Sequence, residues 1–404
     1  MTLDEITVRI DKVVAEGDGL GRLPDGRVVF VERALPGELV AIRIIKQSKD
    51  YARAEIVRIV EANDRRVEPP CAYVASGCGG CDLQHAAVDL QRKIKHDIVF
   101  ESLVRLGKAT DPLVLDCPDD LPLDSCRTTM RWAIDDHGAL GFRAQGSHRV
   151  VSVDDCLVAH PALRELRHSL APGARSGIEE VSLRVATASG ERSVWWEPSD
   201  VALGAVPART EVGPQGVVHE EIDGHRLRVS AASFFQASAT GATALVRAVR
   251  RAAGDPTIWT SDPVIDLYGG VGLFALTVVP ADHPVIVVES NASAVADAKV
   301  NLRDRPATIV RSEVARWRPV PASVVVADPS RTGLGAAAVA VVAATKAPVL
   351  VLVSCDPASL GRDVGLLARA GYRFEYTEVL DLFPHTHHVE AVSRFVRDER
   401  LSPL

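Results

Sequence analysis

No internal repeat or low-complexity tract interrupts this 404-residue chain, and 47% hydrophobic with 25% charged residues excludes long disordered stretches. Basic excess is missing too. With 46 Lys and Arg against 53 Asp and Glu, the net charge of −7 excludes indiscriminate electrostatic binding of phosphates, but not a local basic groove. No GxxxxGK[ST] loop occurs, so ATP use is not expected. The opening MTLDEITVRIDKV contains no apolar signal-like core; its alternation reads as a strand, neither signal peptide nor membrane anchor, and a cytoplasmic address is expected. In that compartment seven cysteines do not make a disulfide scaffold, and their grouping points to a metal and a nucleophile instead.

The chain is too long for one hydrophobic core, so two or three domains are expected. Residues 1–61 read as a small β-barrel, because ITVRIDKVV, RVVFVERAL, ELVAIRIIKQ and YARAEIVRIVE alternate between Gly, Pro and Asp turns. Its balanced charge leaves both a structural and an RNA-binding role open. Residues 62–232 read as a β-rich central domain with a cysteine segment. Within it, 82–109 has helical spacing and no internal Pro. From about 233 to 404 apolar strands alternate with helices, the pattern of a mostly parallel sheet covered on both faces and hence of a Rossmann-like α/β domain.

Within PVIDLYGGVGLFAL a strand runs into a turn with Gly269, Gly270 and Gly272, where the backbone can pass close to a ligand. Glu289 ends the next strand, 23 positions after Asp266 and close to the roughly 20 expected for an acid holding ribose hydroxyls. The turn is not GxGxxG, so a nucleoside-bearing cofactor such as S-adenosylmethionine fits better than a dinucleotide. Two further strand ends place Asp328, Arg331 and Cys355 on the same rim. Because a helix is predicted to start at Pro357, its positive end is expected to favour a Cys355 thiolate. A buried, inert cysteine is the alternative. Cys71, Cys78 and Cys81 lie as CxxxxxxCGGC, with Cys156 far downstream; four thiolates suit zinc or a four-iron cluster, and spacing does not decide between them. The spacing is wrong for the CxxxCxxC loop of radical enzymes. Cys117 and Cys126 read as ordinary thiols.

SFFQ, DLYGGVGLF, DPSRTG, SCDPASLGRD and HHVEAVSRF together resemble, in order and spacing, the RNA uridine-5-methyltransferases, typified by the iron-sulfur 23S ribosomal RNA enzymes and the transfer-RNA uridine-54 enzyme. The resemblance implies a class I methyltransferase domain and makes the leading barrel a TRAM domain. It implies that Cys355 adds to carbon 6 of a flipped uracil, activating carbon 5 toward S-adenosylmethionine, and that Glu390 then removes the carbon-5 proton. Without it Glu390 would pass for a solvated acid. It also implies cofactor contacts at Gln236, Tyr268, Gly270, Glu289 and Asp328, a substrate contact at Arg331, and a 4Fe-4S cluster rather than zinc on Cys71, Cys78, Cys81 and Cys156. Ser330, Asp356 and Leu273 depart from the family's usual residues.

The implied partner is RNA, ribosomal more than transfer RNA because the transfer-RNA enzyme lacks the cluster. No membrane and no obligate protein partner are expected, and a monomer is. Arg92, Lys93, Lys95, Arg127 and Arg131 are candidate phosphate contacts. A DNA cytosine-5 methyltransferase would need Pro-Cys and ENV motifs, which are missing; a non-catalytic RNA-binding factor would not need Cys355, Asp328 and Glu390 together.

Overall fold

The computed structural model describes residues 6–170, 177–201 and 203–398; the first five residues of the opening strand read over 1–13 lie outside them. Five strands close a barrel in the order β1-β2-β3-β5-β4: β1 (Ile6–Val13), β2 (Gly19–Arg22), β3 (Val28–Val31), β4 (Leu39–Gln47) and β5 (Tyr51–Glu61). Alternate residues fill its interior, Val8 and Ile10 facing Val29, Val31, Val40 and Ile42. Closure leaves no strand edge exposed.

Helix α1 (Val88–Arg105) lies inside the predicted 82–109. It starts later because the Asp82 and Leu83 amides, which a helix would leave free, donate to the carbonyl of His385, 3.1 and 2.9 Å away. It packs on helix α7, introduced below, so this segment belongs with the C-terminal half in space. Strand β6 (Val114–Asp116) likewise joins the C-terminal sheet. The central sheet has the order β12-β11-β10-β7-β8-β9, built from β7 (Thr129–Ile134), β8 (Leu140–Arg143), β9 (Val150–Ser152), β10 (Glu180–Val185), β11 (Arg192–Glu197) and β12 (Thr210–Val212), with α2 (Pro161–His168) against it. A hairpin of β13 (Val217–Ile222) and β14 (His225–Ser230) follows. The run HRLRVSAASFFQ reads from its sequence as one hairpin strand that extends through SFFQ. Instead the strand stops at Ser230, because side chains from two neighbouring elements capture the next backbone groups, as shown below.

The C-terminal sheet has the order β17-β16-β15-β18-β19-β21-β20-β6. Its strands are β15 (Val264–Leu267), β16 (Val285–Glu289), β17 (Ala307–Arg311), β18 (Val324–Ala327), β19 (Val349–Ser354), β20 (Tyr372–Leu380) and β21 (Glu390–Arg397); its helices are α3 (Ala239–Ala253), α4 (Leu273–Thr277), α5 (Ala292–Asn301), α6 (Gly335–Thr345) and α7 (Pro357–Arg369). From β17 to β19 all pairs are parallel, and β21 enters antiparallel to β19. Odd and even residues feed two cores: Val324, Val326, Val351 and Val353 on one face, Val325, Ala327, Leu350 and Leu352 on the other. Burial on both faces explains why these strands are unbroken apolar runs. Among the described residues no helix is long and apolar enough to cross a membrane.

Candidate active site and cysteine cavity

The carboxyl ends of β15, β16, β18 and β19 meet where the strand order reverses, the usual ligand crevice of an open α/β sheet. After β15 the backbone turns back through Tyr268 (φ 59°) and Gly270 (φ 54°). A Cβ on Gly269 would stand 2.6 Å from Val287 and 3.0 Å from the Asp266 carboxyl, so only glycine fits. One on Gly270 would meet nothing within 4 Å, so the turn faces open space. Glu289 accepts hydrogen bonds from the amides of Gly270 (3.0 Å) and Asn291 (2.6 Å), which hold its carboxylate at the rim while leaving lone pairs for hydroxyls. Asp266 accepts from the Ala275 amide through Oδ2, and its buried Oδ1 has no partner among the described residues. Burial pushes its pKa up to about 8, with Asp328 and Glu289 adding to the rise, so at neutral pH this carboxyl carries its proton.

Ser354 of β19 pairs with Ala391 of β21, so the next step of the same antiparallel register sets Cys355 across from Glu390. Asp328 follows β18, its amide donating to the Leu267 carbonyl. Three acidic groups from three strand ends thus share one poorly hydrated corner. Burial pushes Cys355 up to about 11, with Glu390 and then Asp328 adding and Arg331 opposing. Burial likewise raises Asp328 to about 7, and burial with the Asp328 charge raises Glu390 well above the carboxylate range. The α7 terminus that was expected to favour a Cys355 thiolate is capped by Asp356, which accepts from the Ser359 amide, and desolvation with two carboxyls acts in the opposite direction. Arg331 is exposed on a loop that Asp363 pins by accepting from the amides of Leu334 (2.7 Å) and Gly335 (3.0 Å).

Gln236 sits on the turn after β14. Arg184 reaches that turn from the central sheet, donating to the carbonyls of Ser230 and Ser233, both at 3.1 Å. From the other side, buried Asp297 of α5 accepts from the Ser230 amide and hydroxyl and the Ser233 hydroxyl, and pairs with Arg228. The clamp holds Phe234 74% exposed. An aromatic face held in solvent is suited to stack on a base. Phe234, Arg184, Asp297 and His388 were not singled out from the sequence; the exposed aromatic inside SFFQ was the one available signal.

Cys71, Cys78, Cys81 and Cys156 line one cavity of about 310 Å³, which also touches Gln84, Arg127, Phe142, Phe383, Arg331 and His388. The cavity therefore reaches from the cysteines to the catalytic rim. The CGGC turn packs so closely on β8 that a Cβ on Gly79 would come within 2.7 Å of the Arg143 carbonyl. Burial, with the neighbouring cysteines adding, pushes Cys81 to about 12 and Cys156 to about 11. Among the described residues no three His, Cys, Asp or Glu side chains are arranged to hold a single metal ion. Cys126 is buried and Cys117 partly so.

Of the expected phosphate contacts, Lys95 is corrected: it is 1% exposed, pairs with Asp381 and donates to the Phe383 carbonyl at 2.8 Å. Lys93 and Arg131 pair with Asp97 and Glu180, Arg127 lies over the Phe383 ring, and Arg92 is exposed.

Residues 1–57 match the TRAM domain. A protein named as an RNA methyltransferase of Streptomyces avermitilis is 34% identical over 96% of this chain and 98% of its own. A 23S rRNA (uracil(1939)-C(5))-methyltransferase of Chromohalobacter salexigens is 30% identical over 96% of this chain and 89% of its own. The fold, with its class I methyltransferase sheet, is similar to that of the Pyrococcus abyssi tRNA (uracil-54, C5)-methyltransferase solved with S-adenosyl-L-homocysteine, at a TM-score of 0.73 and 23% identity, covering 97% of this chain and 100% of that one. With full-length relatives at this identity, the chain belongs to the family of RNA methyltransferases that includes the uracil C5 enzymes.

Proposed function

We propose that this protein transfers a methyl group from S-adenosylmethionine to carbon 5 of a uridine in RNA, 23S ribosomal RNA in the first place, with Cys355 as nucleophile and Glu390 as base. The observation that carries the reading is the register of β19 and β21, which sets a thiol and a buried carboxyl opposite each other at the rim of a nucleoside-type crevice. Uracil carbon 5 is a weak nucleophile until a sulfur adds to carbon 6. Cys355 gives up its proton to water, its thiolate Sγ forms that bond, and the carbon 5–carbon 6 π electrons move into the ring as an enolate. Bound S-adenosylmethionine supplies the methyl electrophile that carbon 5 then takes. Glu390, as carboxylate, accepts the carbon-5 proton; the released electron pair restores the double bond and expels the Cys355 thiolate. Its raised proton affinity suits that role. Glu289 and the Gly270 turn suit the ribose and the donor's backbone-hugging portion, Gln236, Tyr268 and Asp328 complete that side, and Arg331 and Phe234 face the substrate.

The four cysteines fit an iron-sulfur cluster. All four line one cavity of about 310 Å³, which leaves room for such a body; the same four sulfurs also suit zinc, and the choice of the cluster rests on the family resemblance. Burial and mutual repulsion oppose free thiolates there, as expected for ligands awaiting a cationic centre. Such a cluster would tie residues 71–81 to residue 156 and shape the RNA face. We read residues 1–61 as the RNA-binding barrel, 62–232 as the central domain and 233–404 as the catalytic domain, to which 82–109 is lent. The cytoplasmic address read from the sequence suits this substrate.

The test is mass-spectrometric mapping of 5-methyluridine in ribosomal and transfer RNA from cells with and without the gene, complemented by wild type or Cys355→Ala. One ribosomal site lost and restored only by wild type is expected. A transfer-RNA site would move the target; an unchanged map would turn the reading to a non-catalytic RNA-binding factor.

A further inference from the structure

Glu390 is the first residue of β21, and the nine residues Asp381–Val389 link it to β20. That is long for a hairpin connection, which ordinarily takes about 2–5 residues, so the base depends on whatever holds the loop. Almost every anchor comes from the cysteine segment and α1. The His385 carbonyl accepts from the amides of Asp82 and Leu83, and the His385 amide donates to Gln91 Oε1 at 3.1 Å. Lys95 fastens Asp381 and the Phe383 carbonyl. Nearest to Glu390, Asp82 Oδ1 accepts from the His387 amide at 2.9 Å while Asp82 Oδ2 pairs with His387 Nδ1. The pair is enclosed, since a Cβ on Gly17 of the barrel would stand 3.0 Å from both partners. The His388 ring lies against that of His387, 4.2 Å between centroids and tilted by 51°, and lines the cysteine cavity.

We propose that Asp82, acting through His387, is a positioning residue for the general base, so that the segment carrying Cys78 and Cys81 also sets the geometry of proton removal. The inference rests on the assignment of Cys355 and Glu390 above. Addition and methyl transfer need Cys355, whereas release of the methylated ring needs Glu390 in place. Loosening the Asp82 anchor should therefore slow the last step selectively and leave methylated RNA bonded to the enzyme.

The experiment uses the full chain and a uridine-containing RNA that the wild type methylates. Covalent enzyme–RNA adduct is read on denaturing gels for wild type, Asp82→Asn, Asp82→Ala, His387→Ala and Glu390→Gln, with unfolding temperature and bound iron and sulfide measured on each. A displacement of about 1 Å costs on the order of 100-fold in a positioned step, so adduct breakdown should slow about 10- to 100-fold in Asp82→Ala and His387→Ala, and less in Asp82→Asn, which keeps an acceptor for the His387 amide. Adduct formation should change less than about threefold. Where Asp82 variants lose iron, His387→Ala decides alone, because it leaves the cysteine segment intact. Adduct in Glu390→Gln with none in His387→Ala overturns the inference and spares the mechanism. No adduct in Glu390→Gln overturns the base assignment and the inference with it.

Discussion

Cys355 shows how far a residue's chemistry departs from its local sequence. Its place on the rim was readable from the strand before it, but its protonation was not, because Glu390 and Asp328 arrive from other strands. A thiol at about 11 is thiolate in only about one molecule in a thousand at pH 8. Alkylation of Cys355 by iodoacetamide in the ligand-free enzyme should keep rising through pH 10, and Asp328→Asn should move the profile to lower pH; a plateau near pH 8.5 would contradict this reading. Asp266 offers a second titration test. An acid whose folded pKa is about 8 binds its proton more tightly than in the unfolded chain, where it titrates near 3.8. Its contribution to stability is complete below the lower value and lost as pH rises through the upper one. Asp266→Asn does not titrate and keeps an acceptor for the Ala275 amide, so it should gain roughly 2–4 kcal/mol over wild type at pH 8 and almost nothing at pH 4. Urea unfolding at both pH values checks this, and an equal gain at both would exclude titration as the cause. Glu390 had no signal of its own, since a glutamate after a loop is ordinarily solvated; the resemblance alone pointed to it.

At the scale of elements, the parallel strands were legible because burial on both faces demands unbroken apolar runs such as VVVA and VLVLVS. Less legible were the places where one element borrows another's hydrogen-bonding groups. The strand after β13 was expected to run through SFFQ, yet Arg184, some fifty residues upstream, and Asp297, more than sixty downstream, end it at Ser230. Neither residue carries a local pattern that tells of this. Asp297→Ala would leave the Ser230 amide and Arg228 without their buried partner, a loss of about 3–5 kcal/mol. The same change frees the turn carrying Phe234 and Gln236, so S-adenosylhomocysteine affinity by calorimetry should fall together with the urea midpoint. A lower midpoint with unchanged affinity would confine Asp297 to a structural role. The late start of α1 has the same origin: the Asp82 and Leu83 amides ahead of it serve the loop before β21.

Across the whole molecule, length and hydrophobic patterning foretold separate bodies but not how they join. The barrel is docked rather than tethered. Val13 and Leu35 from the barrel, Leu83 and Ala86 from the cysteine segment, and Ile94 and Ile98 from α1 form one small core, closed at its edge by Lys12 and Glu101 at 2.5 Å. This core is invisible to sequence reading, since each element contributes only two or three apolar residues. It lies against the loop that leads to Glu390, so barrel, cysteine segment and base share one support. Leu83 is fully buried in it, and Leu83→Ala should cost about 2–5 kcal/mol there by transfer and cavity terms. Because the barrel has its own interior of Val8, Ile10, Val29 and Val40, the loss should fall on docking and leave the barrel folded. Limited proteolysis is then expected to cut Leu83→Ala within residues 62–70 well before wild type and release an intact barrel. Cleavage spread through the barrel strands would show that the barrel depends on its dock to fold, and unchanged cleavage that the small core does not hold it.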